Sequence, residues 1–452
     1  MYEIKYREEN ELIYSGIDWL GSIPLSWTIQ PLKYISKYNK GRNPKQIVSE
    51  AEGELPYVTA SYLRKGETDG YIKDAKSLVS VEEGDLLLLW DGANAGEFFC
   101  GKKGVLGSTF AKLILIQEMN FNFFSYYLRS TESYLKYETN GMGVPHIDSS
   151  ILKNIIITSP LDFEQQKIAN FLDIKTAQFD SIILKKEQLI EKFEEAKKSL
   201  ISEVVTGKVK IVDGELVERD TSEMKDSGVE WLGMVPKDWS IKCIKYISKC
   251  YPSNVDKKTK DGEKLVALCN YTDVYYNDYI NNDLEFKIAS ATKAQVMKFK
   301  LETGDIILTK DSESPDDIGI ASFVDESIDN LVCGYHLTLI RVKQDTNPLY
   351  VYHQLSSTGV KNYFGTVANG VTRYGIGSSG FLNLKIVLPT IGEQEGISIF
   401  IRSELEANTR MIENIRKQIM LLKQAKQSLI SEAVTGKIDL RDWEIIEEGE
   451  PK

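Results

Sequence analysis

Histidine and cysteine are scarce in this 452-residue chain, and the scarcity removes several chemistries at once. His146, His336 and His353 are the only histidines, too few and too scattered for a metal cluster or a nucleophilic triad. The five cysteines, Cys100, Cys243, Cys250, Cys269 and Cys333, are odd in number and form no C-x-x-C pair. That excludes a disulfide frame and a zinc knuckle and points to reduced thiols in a cytoplasm. No run approaches the roughly 18 apolar residues of a membrane span. The first residues, Met1 to Glu9, lack the apolar stretch of a signal peptide. There is no G-x-x-x-x-G-K-[ST], so a P-loop motor is excluded, and no G-x-G-x-x-G opens a helix after a strand. Excess positive charge is missing too. The formal net charge is −11, which argues against a protein that coats nucleic acid by charge alone.

What the chain does have, it has twice. Ser15-Gly16-Ile17-Asp18-Trp19-Leu20-Gly21, with Pro24 and Trp27 behind it, returns as Ser227-Gly228-Val229-Glu230-Trp231-Leu232-Gly233, with Pro236 and Trp239. Leu200 to Lys208, reading L-I-S-E-V-V-T-G-K, returns at Leu429 to Lys437 as L-I-S-E-A-V-T-G-K. A spacing of about 210–230 residues is far too long for a solenoid, so a whole domain and its connector are duplicated. Such a chain has approximate two-fold symmetry, which suits a target with two halves.

Four segments follow. Residues 1–160 hold short apolar runs broken by turns, such as Leu86 to Leu89, Ala111 to Ile116 and Ile155 to Ile157, with a helix expected over Phe121 to Tyr137. Residues 161–208 contain no Gly or Pro between Asp162 and Thr206 and read as one long helix stopped by Gly207. Its expected apolar face is Phe179, Ile182, Leu189, Phe193, Ala196 and Leu200. Residues 209–390 repeat the first segment. Residues 391–452 repeat the helix, with Asn408, Met411, Ile415, Leu422, Ala425 and Leu429 as its face and Gly436 as its stop. Each stripe is too narrow and too charged for a core helix. The two helices are expected to pair, antiparallel, as a strut, with Lys186 and Gln418 as polar insertions that tune register. The fold class expected is α+β: two tandem α/β domains joined by two long antiparallel coiled-coil helices.

Two fragments tempt toward catalysis. Asn347-Pro348-Leu349-Tyr350 is one residue from an Asn-Pro-Pro-Tyr methyltransferase loop, but the first copy has no such loop at the equivalent place. Glu285-Phe286-Lys287 ends like a nuclease motif, yet E-x-K recurs by chance in so charged a chain. Recognition chemistry is what remains. A basic run without acids, Lys33, Lys37, Lys40, Arg42 and Lys45, follows the first Trp box, and Lys242, Lys245, Lys249, Lys257, Lys258 and Lys260 follow the second. Either run alone reads as a solvated face; the recurrence makes phosphate contact an equal reading. Polar clusters able to read base edges sit in turn-rich stretches. The candidates are Arg42, Lys45, Thr59, Ser61, Tyr62, Arg64, Lys65, Asp91, Asn94 and His146 in copy one. In copy two they are Asn270, Tyr271, Lys310, Asp311, Arg373 and Tyr374. An ordinary polar loop is the plainer reading of any one of them. The copies agree in framework and differ in these stretches, as two readers of unlike sites would.

The doubled Trp box, Gly84-Asp85-Leu86-Leu87-Leu88 with Gly304-Asp305-Ile306-Ile307-Leu308, Pro160…Glu164-Gln165-Gln166 with Pro389…Glu393-Gln394-Glu395, and the doubled helix end together resemble the specificity subunit of a type I restriction–modification enzyme. One departure is Glu395-Gly396, where lysine or glutamine and then an apolar residue would be usual. The resemblance implies two target-recognition domains on a split double-stranded DNA site, with the helices as the spacer that fixes the gap. It implies two methylation subunits as partners and restriction subunits in the full complex. S-adenosylmethionine, Mg2+ and ATP would then sit on those partners, with no cofactor, metal or catalytic residue in this chain. Two other classes compete: a coiled-coil scaffold without a DNA role, and a single-chain methyltransferase or nuclease with a cryptic active site.

Overall fold

The computed structural model describes residues 4–139 and 145–444. The chain forms two compact units, each built from two stretches: residues 1–186 with 417–452, and residues 187–416. The division falls inside both long helices, Asp162–Val205 and Ile391–Val434.

In unit 1 the four-residue run Leu86–Leu89 is buried throughout, because it lies at the centre of a sheet covered on both faces. It pairs antiparallel with Phe110–Leu115 and with Phe98–Cys100, and Phe110–Leu115 pairs in turn with Ser36–Lys40. A second small sheet joins Leu55–Val58 to Tyr71–Ile72, antiparallel, and to Gly104–Leu106, parallel. Unit 2 repeats the plan. Ile306–Thr309 is buried throughout, flanked by Leu337–Val342 and Ala321–Val324, with Ser248–Pro252 beyond. Lys264–Cys269 pairs antiparallel with Lys287–Ala291 and parallel with Leu331–Cys333.

The doubled motifs have doubled jobs. Gln165 accepts from the Asn120 backbone N–H at 2.8 Å and donates to the Pro160 carbonyl at 2.9 Å; Gln394 does the same with Asn347 and Pro389, both at 2.9 Å. Asn120 and Asn347 each cap the helix that follows, their side chains accepting from the N–H groups of Phe123 and Tyr350. So Asn347-Pro348-Leu349-Tyr350 is a helix start, with Tyr350 fully buried. The two helix-stop glycines adopt left-handed backbone, φ +71° at Gly207 and +74° at Gly436. Gly207 abuts Pro236 and Trp239; Gly436 abuts Pro24 and Trp27. Each Trp box is therefore the seat of a helix end.

The long helices pair antiparallel within each unit. In unit 1 Lys426 Nζ meets Asp180 at 2.6 Å, and the two polar insertions meet each other, Lys186 Nζ donating to Gln418 Oε1 at 2.6 Å. In unit 2 Ile201 and Val204 of one helix and Ile397 and Leu405 of the other belong to one buried apolar cluster. The buried stripe differs from the expected face. Phe179, Phe193, Leu200, Asn408, Ile415, Leu422 and Leu429 lie on it or beside it, but Ile182, Leu189, Met411, Ala196 and Ala425 are exposed, and Ile183, Ile412 and Ile419 are buried instead. Ile182-Ile183, Leu189-Ile190 and Met411-Ile412 are apolar doublets, and periodicity alone cannot choose between the members of a doublet. The single helix expected over Phe121 to Tyr137 is two, Phe121–Ser130 and Glu132–Glu138. The break is at Thr131, whose hydroxyl turns back to the Leu128 carbonyl at 2.7 Å.

Among the described residues no helix is long and apolar enough to cross a membrane. No group of His, Cys, Asp or Glu there is arranged to hold a metal ion. His353 is buried on its helix, and burial pulls its pKa down to about 3, which keeps the ring neutral.

Candidate nucleic-acid interface

In each unit the buried central strand ends in an aspartate that leaves the core. In unit 1 that residue is Asp91, after Leu86–Leu89 and Trp90. Its backbone bridges to His146, and Gly92 N–H donates to the Pro145 carbonyl at 2.9 Å, so His146 and Asp91 come together as neighbours. The rest of the Asn140–His146 stretch, Asn140 to Val144, lies outside the described residues. Lys40, at the end of Ser36–Lys40, pairs with Asp91 at 2.9 Å and lies 5.3 Å above the Trp90 ring. Tyr38 packs on Trp90 with ring centres 4.8 Å apart. Asn94 is exposed in the turn that follows. Arg42 and Lys45, both exposed, continue past Lys40 along an open cleft of about 410 Å³ that Lys73 and Asp74 also line.

Thr59, Ser61, Tyr62, Arg64 and Lys65, expected in a loop, belong to a short helix instead. Thr59 caps Ala60–Lys65 by accepting from Tyr62 N–H at 3.4 Å, and Gly66 closes it at φ +80°. The loop reading failed because Thr59 and Gly66 act here as helix punctuation. Arg64 points outward, paired with Glu97 and 5.2 Å from the Phe99 ring. Lys102 reaches over Tyr62, 5.6 Å from its ring. Ser61 is half-buried and Lys65 exposed.

Unit 2 places the same features with other chemistry. Asn270 begins the equivalent short helix, Tyr271–Tyr275, in a capping box with Asp273. Tyr271 stacks on Tyr275 at 5.5 Å, and Tyr275, hydrogen-bonded to Asp317 at 2.7 Å, has its pKa pushed up to about 12 by that bond. Lys310 stands where Trp90 stands in unit 1. It donates to the Ser253 carbonyl at 2.8 Å and lies 4.6 Å over the Tyr335 ring, and burial holds its pKa below the usual lysine value. Asp311 pairs with Arg373 at 2.6 Å. Asp311 and Ser312 pair in register with Gly375 and Tyr374, and Asn369 and Gly375 exchange backbone hydrogen bonds at 2.9 and 3.0 Å, which closes the loop carrying Arg373. Tyr374 is half-buried against the core.

The structure thus gathers Lys310, Asp311, Arg373 and Tyr374 in unit 2, and Asp91 with His146 in unit 1. Arg64 pairs with Glu97, and Arg42 lines the cleft with Lys45. Trp90 belongs to a recognition cluster already visible in the sequence, whereas Tyr38, Tyr335 and His336 do not. Their signal was weak, since each becomes legible only when the strands are paired.

The sequence matches the family model of the type I restriction modification DNA specificity domain twice, over residues 24–194 and 236–421. It is 28% identical over 442 residues to the type I restriction enzyme MjaVIII specificity subunit of Methanocaldococcus jannaschii, covering 97% of this chain and 98% of that one. It is 23% identical over 443 residues to the type I restriction enzyme EcoBI specificity subunit of Escherichia coli, covering 95% and 90%. A solved structure described as the basis of complex assembly and conformational transition of the type I R-M system has the same fold, with TM-score 0.59 at 12% identity over 92% of this chain and 99% of that one. Both framework glutamines, both strand-end aspartates and the proline and tryptophan that trail each Trp box fall within the matched stretches, and the chain belongs to the type I restriction modification DNA specificity domain family.

Proposed function

We propose that the chain is the non-catalytic, sequence-reading subunit of a type I restriction–modification system. Each unit reads one half of a bipartite DNA target, and the chain brings methylation and restriction subunits to it. One observation carries this reading: the two units repeat the contacts of Gln165 and Gln394 and the seats of Gly207 and Gly436, while the side chains around Asp91 and Asp311 differ. A duplicated enzyme would repeat its chemistry; a duplicated reader of two unlike half-sites repeats only its frame. The domains are 1–160 and 209–390, with 161–208 and 391–452 as the helical spacer that sets the gap. Two methylation subunits dock on this chain, and S-adenosylmethionine, Mg2+ and ATP belong to the partners, in the cytoplasm. The acidic balance fits this division, because the phosphate contacts that dominate affinity then come largely from the partners.

Domain exchange tests it. Replacing residues 14–160 with the matching domain of a relative is expected to change one half of the methylated sequence and leave the other half and the gap intact. Methylation mapping of host DNA reads the result directly. A change in both halves contradicts the reading, and methyl transfer by the highly purified chain alone places an active site in it.

Arg64 supplies a narrower test. It is an exposed residue whose pair with Glu97 contributes little to folding, at most about 1 kcal/mol. Arg64→Ala is expected to leave the melting temperature near that of the parent and to weaken DNA binding by about 1–3 kcal/mol. Relaxed preference at one position of the first half-site assigns Arg64 to a base edge. Uniform weakening across sequences assigns it to a phosphate. No change in affinity or preference removes it from the interface.

A further inference from the structure

Three segments of unit 2, distant in sequence, meet at Asp311. Its Oδ1 accepts from Arg373 Nη2 at 2.6 Å, and its Oδ2 lies 2.9 Å from His336 Nδ1. Arg373 Nη2 is also 3.0 Å from that same ring nitrogen. The backbone locks the three together: Lys310 N–H donates to the His336 carbonyl at 3.0 Å, and Asp311 pairs in register with Gly375, two residues after Arg373. Asp311 is mostly buried, with 16% of its side chain exposed, whereas Arg373 is 57% exposed and His336 36%.

We propose that His336 is a specificity-determining residue, and that with Arg373 it reads a guanine–cytosine pair in the half-site of unit 2, Asp311 serving as the positioning residue for both. The proposal rests on the DNA-reading function above.

The chemistry follows from one nitrogen. His336 Nδ1 faces a donor, Arg373, and an acceptor, Asp311, and it cannot satisfy both. Carrying a proton, it donates to Asp311; without one, it accepts from Arg373. Guanine presents the O6 and N7 acceptors that a guanidinium grips with two hydrogen bonds. When Arg373 turns to that edge, Asp311 is the partner left at Nδ1, and the proton stays there. Nε2 is then a bare acceptor, and cytosine offers the matching N4 amine on the same pair. Each oxygen of Asp311 already holds one of the two side chains, so its role is to aim them.

Among the described residues, unit 1 arranges the equivalent place differently. The residue placed like His336, by the backbone bond from Trp90 N–H to its carbonyl, is Thr109, and Asp91 holds Lys40. A lysine has no fork geometry for guanine and a threonine has no ring nitrogen, so Thr109, Asp91 and Lys40 do not repeat the His336, Asp311 and Arg373 arrangement. A plain ion pair that closes the loop is the competing account, and sequence preference separates the two.

The test uses the chain assembled with its methylation subunits. Duplexes carry every base pair at each position of the unit 2 half-site, the site itself taken from methylation mapping. Methylation rates of wild type, His336→Ala, His336→Asn, Arg373→Ala and the His336→Ala/Arg373→Ala double variant are compared. Asparagine keeps an amide facing Asp311 and lacks Nε2. The wild type is expected to demand guanine–cytosine at one position. Both His336 variants and Arg373→Ala are expected to lose that demand at the same position, by tenfold or more, with the unit 1 half-site unaffected. The double variant is expected to lose less than the product of the single losses. Preference unchanged in His336→Asn, losses at different positions, or a demand for another base pair overturns the proposal. A wild-type complex with no sequence preference in either half overturns the DNA-reading function itself. Far-UV spectra and melting curves identify any variant that fails to fold, and His336→Asn then carries the decision.

Discussion

Glu164→Ala is expected to destabilise unit 1 by about 3–5 kcal/mol, the range for leaving a buried charge without its partner. Arg7 Nη2 lies 2.6 Å from Glu164 Oε1, and only 3% and 4% of the two side chains are exposed. Trp27 Nε1 donates to the other carboxylate oxygen at 3.0 Å, and the Arg7 guanidinium lies 5.8 Å from the Trp27 ring. Removing Glu164 strands a cation and an indole N–H together. The counterpart in unit 2 is looser. Glu393 is 32% exposed and meets Arg219 at 3.1 Å, while Trp239 Nε1 has no partner among the described residues. Glu393→Ala is therefore expected to cost on the order of 1 kcal/mol. Urea titration of the two variants measures the contrast through their midpoints. Equal losses would show that burial does not set the value of this latch.

The second large effect belongs to Gly207. Its backbone sits at φ +71°, and a Cβ there would lie 2.4 and 2.6 Å from the Pro236 ring and 3.0 Å from Trp239. Both rings are packed and cannot yield as a flexible side chain would. Left-handed strain and overpacking together predict that Gly207→Ala destabilises unit 2 by about 2–5 kcal/mol. Gly214 separates the two causes. It has φ +85° with nothing within 4 Å of a built Cβ, so Gly214→Ala carries the strain alone, about 1–2 kcal/mol. Denaturation midpoints decide, and indistinguishable values would remove the Trp box as the seat of the helix end.

The framework was legible in the sequence because its parts are chemically singular. A tryptophan beside a proline, a glycine after a long helix and a glutamine at a helix start have few substitutes, so duplication leaves them visible. The heptad frame was less legible, since Ile182-Ile183 or Met411-Ile412 offers two apolar neighbours and only packing picks one. The break at Thr131 was hidden, because a threonine hydroxyl that bonds back to Leu128 leaves no compositional trace. The cluster at Asp311 was beyond a linear reading. His336 lies 25 residues from Asp311 and 37 from Arg373, and only the pairing of strands brings them together.

The segment Lys5–Arg7 runs beside Lys437–Asp439: Arg7 N–H donates to the Lys437 carbonyl at 2.9 Å, and Asp439 N–H to that of Lys5 at 2.8 Å. In unit 2 the same pairing runs from Arg219 N–H to the Lys208 carbonyl at 2.9 Å, and there a hairpin, Val209–Val212 with Glu215–Glu218, joins the two strands. One pairing has a short covalent link; the other holds without one. A single cut at the exposed turn Asp213–Gly214 should therefore leave unit 2 closed, held as unit 1 already is by strand pairing and an arginine–glutamate latch.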